Sequence, residues 1–500
     1  MFLSTRPTTP SGTAPDHPSA LDARPATAGE LAAVYAALAR TAPQLSAAAP
    51  AVVFAGIGAG PALVERLHRF GVDVHVVEEP GVGGGAYVLG GAAHATCIPA
   101  GAGEHEHAAL VAAIVEQARM RTWAGDAGPE PRFTTMHTPG SDSRGVVQFR
   151  LGDAEIVAKI GAVDAIAGEA RFAREVNALM AAERRRGLFP QVHGLRLEGP
   201  QGVSLMEAGE PLPIDPLFAD PERTTLADDA ADRLQPHLDE LAVWYRLTAR
   251  SGRPTVVDYL YRERYHVLRE HPDFVATFAA LFGDVPLQDA LDVPVELPGG
   301  LVVPGYGAAV GWLEDVGPRL LPDHGSAVHG DIYAANMLLR ADGSPMLIDP
   351  RTVWEGRDRP DVGYGDPVFD LATLLHGVLP MAAILRAAHA GTSSELFGAR
   401  PWPGGATLDL SSLRLPVDFP AAVGELERRM LRSLPHDEPL RDVRTRLYVG
   451  AATSLAGWLK YPRAMRTPQA WLATLAYVAW YLWQARNVWE QPGSNGRQDS

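Results

Sequence analysis

Cysteine is nearly absent from this chain, because Cys97 is the only one among its 500 residues. A single thiol forms no internal disulfide and offers a structural zinc site no second thiolate, so nothing in the sequence requires an oxidising compartment. The amino terminus also lacks the apolar segment of a signal peptide, and residues 1–27 have the composition of a disordered tail. We therefore expect a cytoplasmic protein.

Basic residues are outnumbered by acidic ones. Lys+Arg total 44 and Asp+Glu total 59, which gives a formal net charge of −15. A negative surface repels the phosphates of nucleic acids and anionic lipid headgroups. We expect neither nucleic acid nor a membrane as partner, and the sequence leaves the oligomeric state open.

Long hydrophobic runs are lacking as well. Residues 470–483 form the most apolar stretch, which is too short to cross a bilayer core of about 30 Å. Trp471, Leu475, Val478 and Leu482 recur at helical spacing within it, which predicts a core helix. The length of the chain and its 46% of hydrophobic residues predict several folded units.

Near the amino terminus, the sequence predicts a strand, a helix and a second strand over residues 51–54, 62–70 and 72–77. This order is a right-handed βαβ unit. It resembles the opening of a Rossmann-type cofactor domain, and it is also similar to the opening of class I methyltransferases, which bind S-adenosylmethionine. A second glycine-rich run, residues 81–91, predicts a loop.

The turn after the first predicted strand contains Gly58 and Gly60, and Glu78 follows about twenty residues later. The Rossmann resemblance implies that these residues contact a ribose-bearing cofactor, with Glu78 as the ribose-binding acid. Leu63 stands where that fingerprint has its third glycine. Two alternatives remain, a cofactor-binding domain and a purely structural βαβ module.

From about residue 125 the composition changes to that of a linker, and a second pattern then begins. Residues 145–150 and 155–160 predict two strands joined by a turn, and residues 169–186 predict a helix. From residue 224 to about 490 the pattern is mainly helical.

The segment with the most chemical information begins with His329-Gly330-Asp331 and continues to Asn336, with the spacing D-x-x-x-x-N. A short apolar strand, residues 346–348, then leads to Asp349. Phosphoryl transfer from a nucleotide requires such a set: one carboxylate orients the attacking hydroxyl, while an amide and a second carboxylate hold Mg²⁺.

These motifs, with the downstream G-D-P-x-x-D-L-A, resemble the aminoglycoside phosphotransferase and choline kinase group of small-molecule kinases, which have a protein-kinase-like fold. In detail, the motifs are nearest in style to phosphotransferase domains of bacterial capsular-polysaccharide or sugar-related proteins. Thr352 stands where those domains have Gly, and Thr373 where many have Lys. The resemblance implies Asp331 as the catalytic residue and Asn336 and Asp349 as Mg²⁺ ligands.

The same resemblance implies a lysine that holds the nucleotide phosphates and a helix glutamate paired with it. Lys159 stands at the place of that lysine, and we expect Glu175 to be its partner, with Glu169 as the alternative.

The resemblance further implies a nucleotide-covering turn over residues 141–145, including Ser143 and Gly145, and a hinge strand at Met206 and Glu207 whose backbone would pair with adenine. Arg351 has two possible roles, a contact to phosphate or substrate and a pair with a nearby carboxylate such as Glu355.

The fold expected is an α/β Rossmann-like domain followed by an α+β protein-kinase-like, two-lobed phosphotransferase domain with a mainly helical C-lobe. The function expected is transfer of phosphate from ATP, with Mg²⁺, to a hydroxyl of a small molecule such as a sugar, amino sugar or aminoglycoside. The alternative is a pseudokinase or ligand-sensing module whose amino-terminal domain binds a dinucleotide or S-adenosylmethionine. The expected segments are a tail (1–27), the Rossmann-like domain (28–125), the N-lobe (126–210), the C-lobe (211–490) and a second tail (491–500).

Overall fold

The structure analysed is a computed structural model of the chain. It describes residues 50–53, 73–76, 84–89, 92–99, 132–137, 143–151, 154–198, 201–212, 226–282, 287–351, 353–354, 357–358, 363–398, 407–414, 419–434, 438–461, 465 and 467–491. The chain divides into two compact units. One contains Phe2–Asn177 and Pro190–Ala208, and the other contains Ala178–Phe189 and Gly209–Ser500.

Four strands near the amino terminus form a sheet in the order β2-β1-β3-β4, with β1 and β2 parallel and the other pairs antiparallel. Their bounds are Pro50–Val53 (β1), Asp73–Val76 (β2), Gly84–Leu89 (β3) and Ala92–Pro99 (β4). The predicted glycine loop over residues 81–91 therefore contains a strand, because its Tyr-Val-Leu run pairs with β1. Gly58, Gly60 and Glu78 lie outside the described residues. The described strands alone do not show a Rossmann domain, and both that domain and its cofactor site stay predictions.

Five antiparallel strands form the second sheet of this unit, in the order β5-β6-β7-β9-β8. Their bounds are Arg132–His137 (β5), Ser143–Leu151 (β6), Ala154–Ala162 (β7), Val192–Glu198 (β8) and Gln201–Glu207 (β9). The strands β6 and β7 are longer than expected because their ladder continues to the pair of Ser143 with Gly161. Ser143 and Gly145 are consequently strand residues, where the sequence predicted a turn.

Helix α1 (Val163–Ala182) begins directly after β7, six residues earlier than predicted. Its buried residues include Ile166, Ala170, Ala173 and Val176, which recur at the three- and four-residue spacing of one helix face. The helix therefore covers the sheet with an apolar face.

The other unit is mainly helical. Its helices are α2 (Leu226–Thr248), α3 (Arg264–Glu270), α4 (Pro272–Phe282), α5 (Leu287–Asp292), α6 (Tyr306–Leu320), α7 (Pro367–His376), α8 (Ala382–Ala390), α9 (Phe419–Arg432), α10 (Leu440–Trp458) and α11 (Pro468–Glu490).

Short strands connect these helices. They are β10 (Glu210–Pro211), β11 (Arg250–Ser251), β12 (Val295–Leu297), β13 (Leu301–Val303), β14 (His324–Ala327), β15 (Met337–Leu339), β16 (Pro345–Leu347), β17 (Val353–Trp354), β18 (Arg357–Asp358), β19 (Tyr364–Gly365) and β20 (Leu408–Asp409). They form the sheets β10-β15-β16, β11-β14-β19, β13-β12-β20 and β17-β18.

Helices α7, α10 and α11 form the centre of the helical core. A Cβ atom at Gly450 of α10 would lie 2.7 Å from the Cβ of Ala372 in α7, so glycine permits this close approach. The predicted core helix is confirmed, because α11 buries its apolar residues and Trp471 contacts the rings of Phe274 and Phe278 at 5.7 and 6.3 Å.

A buried ionic network fixes the start of α7. Asp366 caps the helix by accepting the Val368 N–H at 3.0 Å, and its second oxygen accepts Tyr261 Oη–H at 2.7 Å and Arg446 Nε–H at 2.9 Å. Glu438 binds the same guanidinium at 2.7 Å. The position of α7 is therefore set by polar contacts as well as by packing.

By length and apolar composition alone, one helical run among the described residues, Pro367–Ala390, could cross a membrane, so the expectation that residues 470–483 are the most apolar stretch is wrong. Within its own unit 83% of the qualifying window is buried, as in the core helix of a folded domain. We therefore interpret this run as part of the helical core.

Candidate functional site

The loop between β14 and β15 contains the D-x-x-x-x-N motif. Gly330 has a φ of 82°, a left-handed conformation that glycine adopts without steric cost. The loop ends in a single 3₁₀ turn, Ala334–Asn336, immediately before β15. Asp331 therefore lies between a left-handed glycine and a 3₁₀ turn.

Asp370 in α7 fixes this loop through its backbone. Its carboxylate is fully buried and accepts the N–H of His329 at 2.7 Å, the N–H of Gly330 at 2.6 Å and the hydroxyl of Tyr245 at 3.2 Å. Hydrogen bonds to an ionised acceptor are about twice as strong as neutral ones. Asp370 is thus an anchor of the loop around Asp331 and is engaged on both oxygens.

His329 also supports the loop. Its Nε2 lies 2.7 Å from the carbonyl of Ile348, which makes Nε2 the donor, and its Nδ1 accepts the N–H of Asp331 at 3.2 Å. Burial lowers the pKa of His329 to about 4, so the ring is neutral at neutral pH. Phe189 stacks on the ring at 5.9 Å. With both nitrogens engaged, His329 holds Asp331 in place.

Residues that follow Asp370 in the chain also contact this loop. Thr373 accepts the N–H of Ile332 through Oγ1 at 3.2 Å. A Cβ atom at Gly377 would lie 2.5 Å from the Cβ of Tyr333, so the loop and the helix are in direct contact there. One face of α7 and its C-cap residue Gly377 therefore meet the loop from His329 to Tyr333.

Asp331 presents its carboxylate beside Arg351. Arg351 Nη2 donates to Asp331 Oδ2 at 2.8 Å, and the two side chains are 28% and 30% exposed. The Arg351 N–H donates to the His329 carbonyl at 2.8 Å, which fixes this part of the backbone. Of the two roles open to Arg351, the structure shows a pair with a carboxylate, and the partner is Asp331.

Asn336 and Asp349 lie at the same end of the β15–β16 hairpin. Asn336 precedes β15, Asp349 follows β16, and the Ile348 N–H donates to the Asn336 carbonyl at 3.1 Å. Asn336 Nδ2 donates to the Asp331 carbonyl at 2.9 Å, which assigns the amide orientation and leaves Oδ1 as its possible metal ligand. The hairpin therefore brings together the three residues that the motif predicts.

The donor atoms fit Mg²⁺. An amide oxygen and a carboxylate are hard ligands, and Mg²⁺ is usually held by one or two such protein groups together with phosphate oxygens and water. Within the described parts of the chain, no group of three or more His, Cys, Asp and Glu side chains is arranged so that it could hold a metal ion. Asn336 and Asp349 would thus supply two of the oxygen ligands that such a cation requires.

In the unit with the five-stranded sheet, Lys159 of β7 donates from Nζ to Glu169 Oε2 at 2.7 Å. The expected partner Glu175 is therefore wrong, and the alternative Glu169 is correct. Six residues of helix turn the side-chain direction by about 240°, so Glu175 lies on another face of α1 and is exposed. Lys159 is 4% exposed and lies between Ser204 in β9 and Val146 in β6.

Met206 and Glu207 close strand β9, between β7 and β8. The Glu207 N–H donates to the Gln191 carbonyl at 2.9 Å, so this donor is used within the protein, and pairing of the Glu207 backbone with adenine stays a prediction. The first residues beyond the strand are Ala208 and Gly209. An adenine-binding role of Met206 remains a prediction.

Sequence reasoning missed the contributions of Thr373 and Gly377. Thr373 was noted only as a departure from lysine. Asp370, Thr373 and Gly377 recur at spacings of three and four residues, which place them on one helix face. That periodicity is the signal that could have identified them.

Comparison with known proteins gives distant structural similarity to small-molecule kinases. The structure is similar to spectinomycin phosphotransferase APH(9)-Ia in complex with ADP and spectinomycin, at 9% identity and a TM-score of 0.39, covering 71% of this chain and 93% of that one. It is similar to a thermostable mutant of aminoglycoside phosphotransferase APH(4)-Ia with AMP-PNP and hygromycin B, at 12% identity and a TM-score of 0.34, covering 71% and 92%. It is also similar to choline kinase LicA from Streptococcus pneumoniae, at 11% identity and a TM-score of 0.30, covering 67% and 93%. No protein-family model and no curated protein matches the sequence.

Proposed function

We propose that this protein is an ATP- and Mg²⁺-dependent phosphotransferase that acts on a hydroxyl of a small molecule. One observation carries the proposal: the loop held by Asp370 presents Asp331 at the end of a hairpin where Asn336 and Asp349 also lie. A carboxylate for the hydroxyl and two oxygen ligands for a metal are what phosphoryl transfer requires.

In the proposed reaction, Asp331 accepts a hydrogen bond from the acceptor hydroxyl and orients it toward the terminal phosphate. The neighbouring His329 does not take this role, because both of its ring nitrogens are engaged and its pKa is lowered to about 4 by burial. Asp331 is 30% exposed, so its carboxylate can meet a substrate. The proton acceptor is therefore assigned to Asp331.

Asn336 and Asp349 would hold the metal. When bound, Mg²⁺ supplies charge neutralisation on the phosphate oxygens. Lys159, fixed by Glu169, is the proposed ligand of the nucleotide phosphates, because a lysine oriented by a glutamate has this role in phosphoryl transfer. Ser143 and Gly145 remain proposed nucleotide contacts through their strand backbone.

The test is an assay of ADP release with ATP, Mg²⁺ and pooled acceptors: hexoses, hexosamines, aminoglycosides, choline-like alcohols and nucleosides. Products are identified by mass spectrometry. We expect Asp331→Asn to reduce acceptor-dependent release by at least about 10²-fold, the usual contribution of a positioned general base. ATP binding should persist in this variant.

The matched control is Asp323→Asn, which removes an exposed carboxylate of the same unit that binds only Arg253 at 3.0 Å among the contacts described. This variant should keep full activity. Equal activity of Asp331→Asn and the control would disprove the mechanism. Mg²⁺-dependent ATP binding without transfer to any acceptor would favour the pseudokinase alternative.

A further inference from the structure

We propose that Arg351 is a second catalytic residue, whose guanidinium binds the phosphoryl group while it is transferred. The inference rests on the proposed function and concerns the same site. It follows from one contact, in which Arg351 Nη2 donates to Asp331 Oδ2 at 2.8 Å. The carboxylate that is assigned to the acceptor hydroxyl therefore has a cation as its direct neighbour.

The side chain of Arg351 begins near one of the proposed metal ligands and ends at the catalytic carboxylate. Arg351 follows Asp349 by two residues, so the two Cα atoms are no more than about 7.6 Å apart. Its guanidinium lies against Asp331. In the proposed reaction, the phosphoryl group moves from the metal-bound nucleotide to the hydroxyl at Asp331. Arg351 therefore extends between the two ends of this transfer.

The backbone of Arg351 is fixed, whereas its head group is accessible. The Arg351 N–H donates to the His329 carbonyl at 2.8 Å, and the preceding Pro350 is buried. His329 is itself anchored, because its N–H donates to the buried Asp370 carboxylate at 2.7 Å. The Arg351 side chain is 28% exposed. A side chain held in this way loses little conformational freedom when it binds a ligand.

The site contains three carboxylates, and each has a partner that offsets its charge. Asp370 accepts two backbone N–H groups, at 2.7 and 2.6 Å. Asp349 is a proposed metal ligand, and Asp331 pairs with Arg351. The terminal phosphate of ATP would bring further negative charge next to Asp331, which would repel it. Arg351 contacts Asp331 directly, so its charge offsets this repulsion at the place where it arises.

A guanidinium can bind a carboxylate and a phosphate at the same time. It has five N–H donors in a planar fork, and Nη2 is the donor in the contact with Asp331. This fork matches the geometry of phosphate oxygens as well as that of carboxylates. An arginine that stabilises a phosphoryl group in transfer raises kcat by about 10³–10⁵-fold in GTP hydrolysis.

The step that Arg351 assists forms one bond and breaks one. The acceptor oxygen bonds to the terminal phosphorus of ATP, and the bond between that phosphorus and the bridging oxygen breaks. The electron pair of the broken bond remains on the bridging oxygen, which becomes part of ADP. The acceptor proton passes to the Asp331 carboxylate and then to solvent. Arg351 keeps its proton, because a guanidinium stays charged in proteins, and it donates hydrogen bonds to the oxygens of the moving group.

The experiment measures the affinity for ADP with Mg²⁺ by calorimetry, with and without fluoroaluminate, which mimics the phosphoryl group in transfer. Fluoroaluminate should tighten ADP binding at least about tenfold in the wild-type protein, because transition-state analogues bind more tightly than substrates. Arg351→Met should lose this gain but bind ADP alone normally, and its kcat for transfer should fall at least about 10²-fold. Arg351→Lys should retain part of the gain, because it keeps the charge without the fork. The control Arg253→Met removes an exposed guanidinium and should behave as the wild type.

Asp331→Asn separates a direct contact to the phosphoryl group from an effect through Asp331. This variant keeps the guanidinium, so it should keep the fluoroaluminate gain although its transfer to acceptors is lost. Equal loss of the gain in Arg351→Met and Asp331→Asn would show that Arg351 acts only through Asp331 and would overturn the inference. No gain in the wild-type protein, or an unchanged gain in Arg351→Met, would overturn it as well. Failure of the proposed function is distinct, because Asp331→Asn would then leave ADP release in the transfer assay unchanged.

Discussion

The hydrogen bonds of Asp370 predict a joint loss of stability and activity when its charge is removed. In Asp370→Asn, an NH₂ group replaces one of the two carboxylate oxygens. At least one of the backbone N–H groups of His329 and Gly330 then faces a donor and loses its acceptor. A lost hydrogen bond to a charged group costs about 1.5–3 kcal/mol, and the buried donor left without an acceptor adds to this. We expect a free energy of unfolding lower by roughly 3 kcal/mol and a midpoint of thermal unfolding lower by roughly 5 °C.

The same substitution should reduce kcat at least tenfold, because Asp331 follows directly on the two loosened residues and small displacements of a reacting group are costly. Calorimetry and the ADP-release assay measure the two effects. Thr373→Val is a milder variant, because it removes only the neutral acceptor of the Ile332 N–H. It should lower the free energy of unfolding by about 1 kcal/mol and should reduce kcat less than Asp370→Asn does. Wild-type stability and kcat in Asp370→Asn would refute the assignment of Asp370 as the anchor of the loop.

Two further predictions concern α1 and pH. Glu169→Gln should weaken ATP binding, because it removes the ion pair of Lys159. Glu175→Gln, on the exposed face of the helix, should bind ATP normally. Calorimetry measures both affinities, and equal values would contradict the proposed role of the ion pair. Burial lowers the pKa of His237 to about 4. As pH falls below about 6.5, the unfolded chain therefore binds a proton at this residue that the folded chain does not bind. The free energy of unfolding should decrease as pH falls from about 6.5 to 4. His237→Gln should reduce this dependence in urea unfolding, and an unchanged slope would contradict the buried neutral state.

The local parts of the site could be predicted from the sequence because they depend on short spacings. Asn336 and Asp349 flank two strands of three residues joined by a tight turn, so an antiparallel hairpin brings them to one end. The pair of β1 and β2 and the core helix α11 follow from apolar periodicity in the same way. In these cases, residues near in sequence decide the geometry.

Other parts depend on where an element begins. The choice between Glu169 and Glu175 required the phase of α1, and the helix starts at Val163 because β7 continues to Ala162. The sequence pattern ended the strand two residues too early and began the helix six residues too late. A shift of that size moves a carboxylate to a different helix face.

Contacts between distant residues could not be predicted at all. Arg351 pairs with a residue twenty positions earlier because its N–H binds the His329 carbonyl. Likewise, the Glu207 N–H is occupied because β8 lies beside β9, a pairing that the composition of neither strand specifies. Such contacts depend on tertiary packing, which periodicity does not encode.

Asp349 combines a strained backbone conformation with a side chain that could bind a metal. Asp349 has a φ of 61°, a left-handed conformation that costs an ordinary L-residue about 1–2 kcal/mol and that Asp and Asn tolerate best after glycine. Glycine would relieve the strain but offers no ligand, whereas aspartate is a residue that accepts the conformation and also provides a carboxylate. The hydrogen bonds from Ile348 to Asn336 and from Arg351 to His329 hold the chain on both sides of this residue. Strain maintained by the surrounding contacts is typical of functional sites, and here it occurs at a proposed metal ligand.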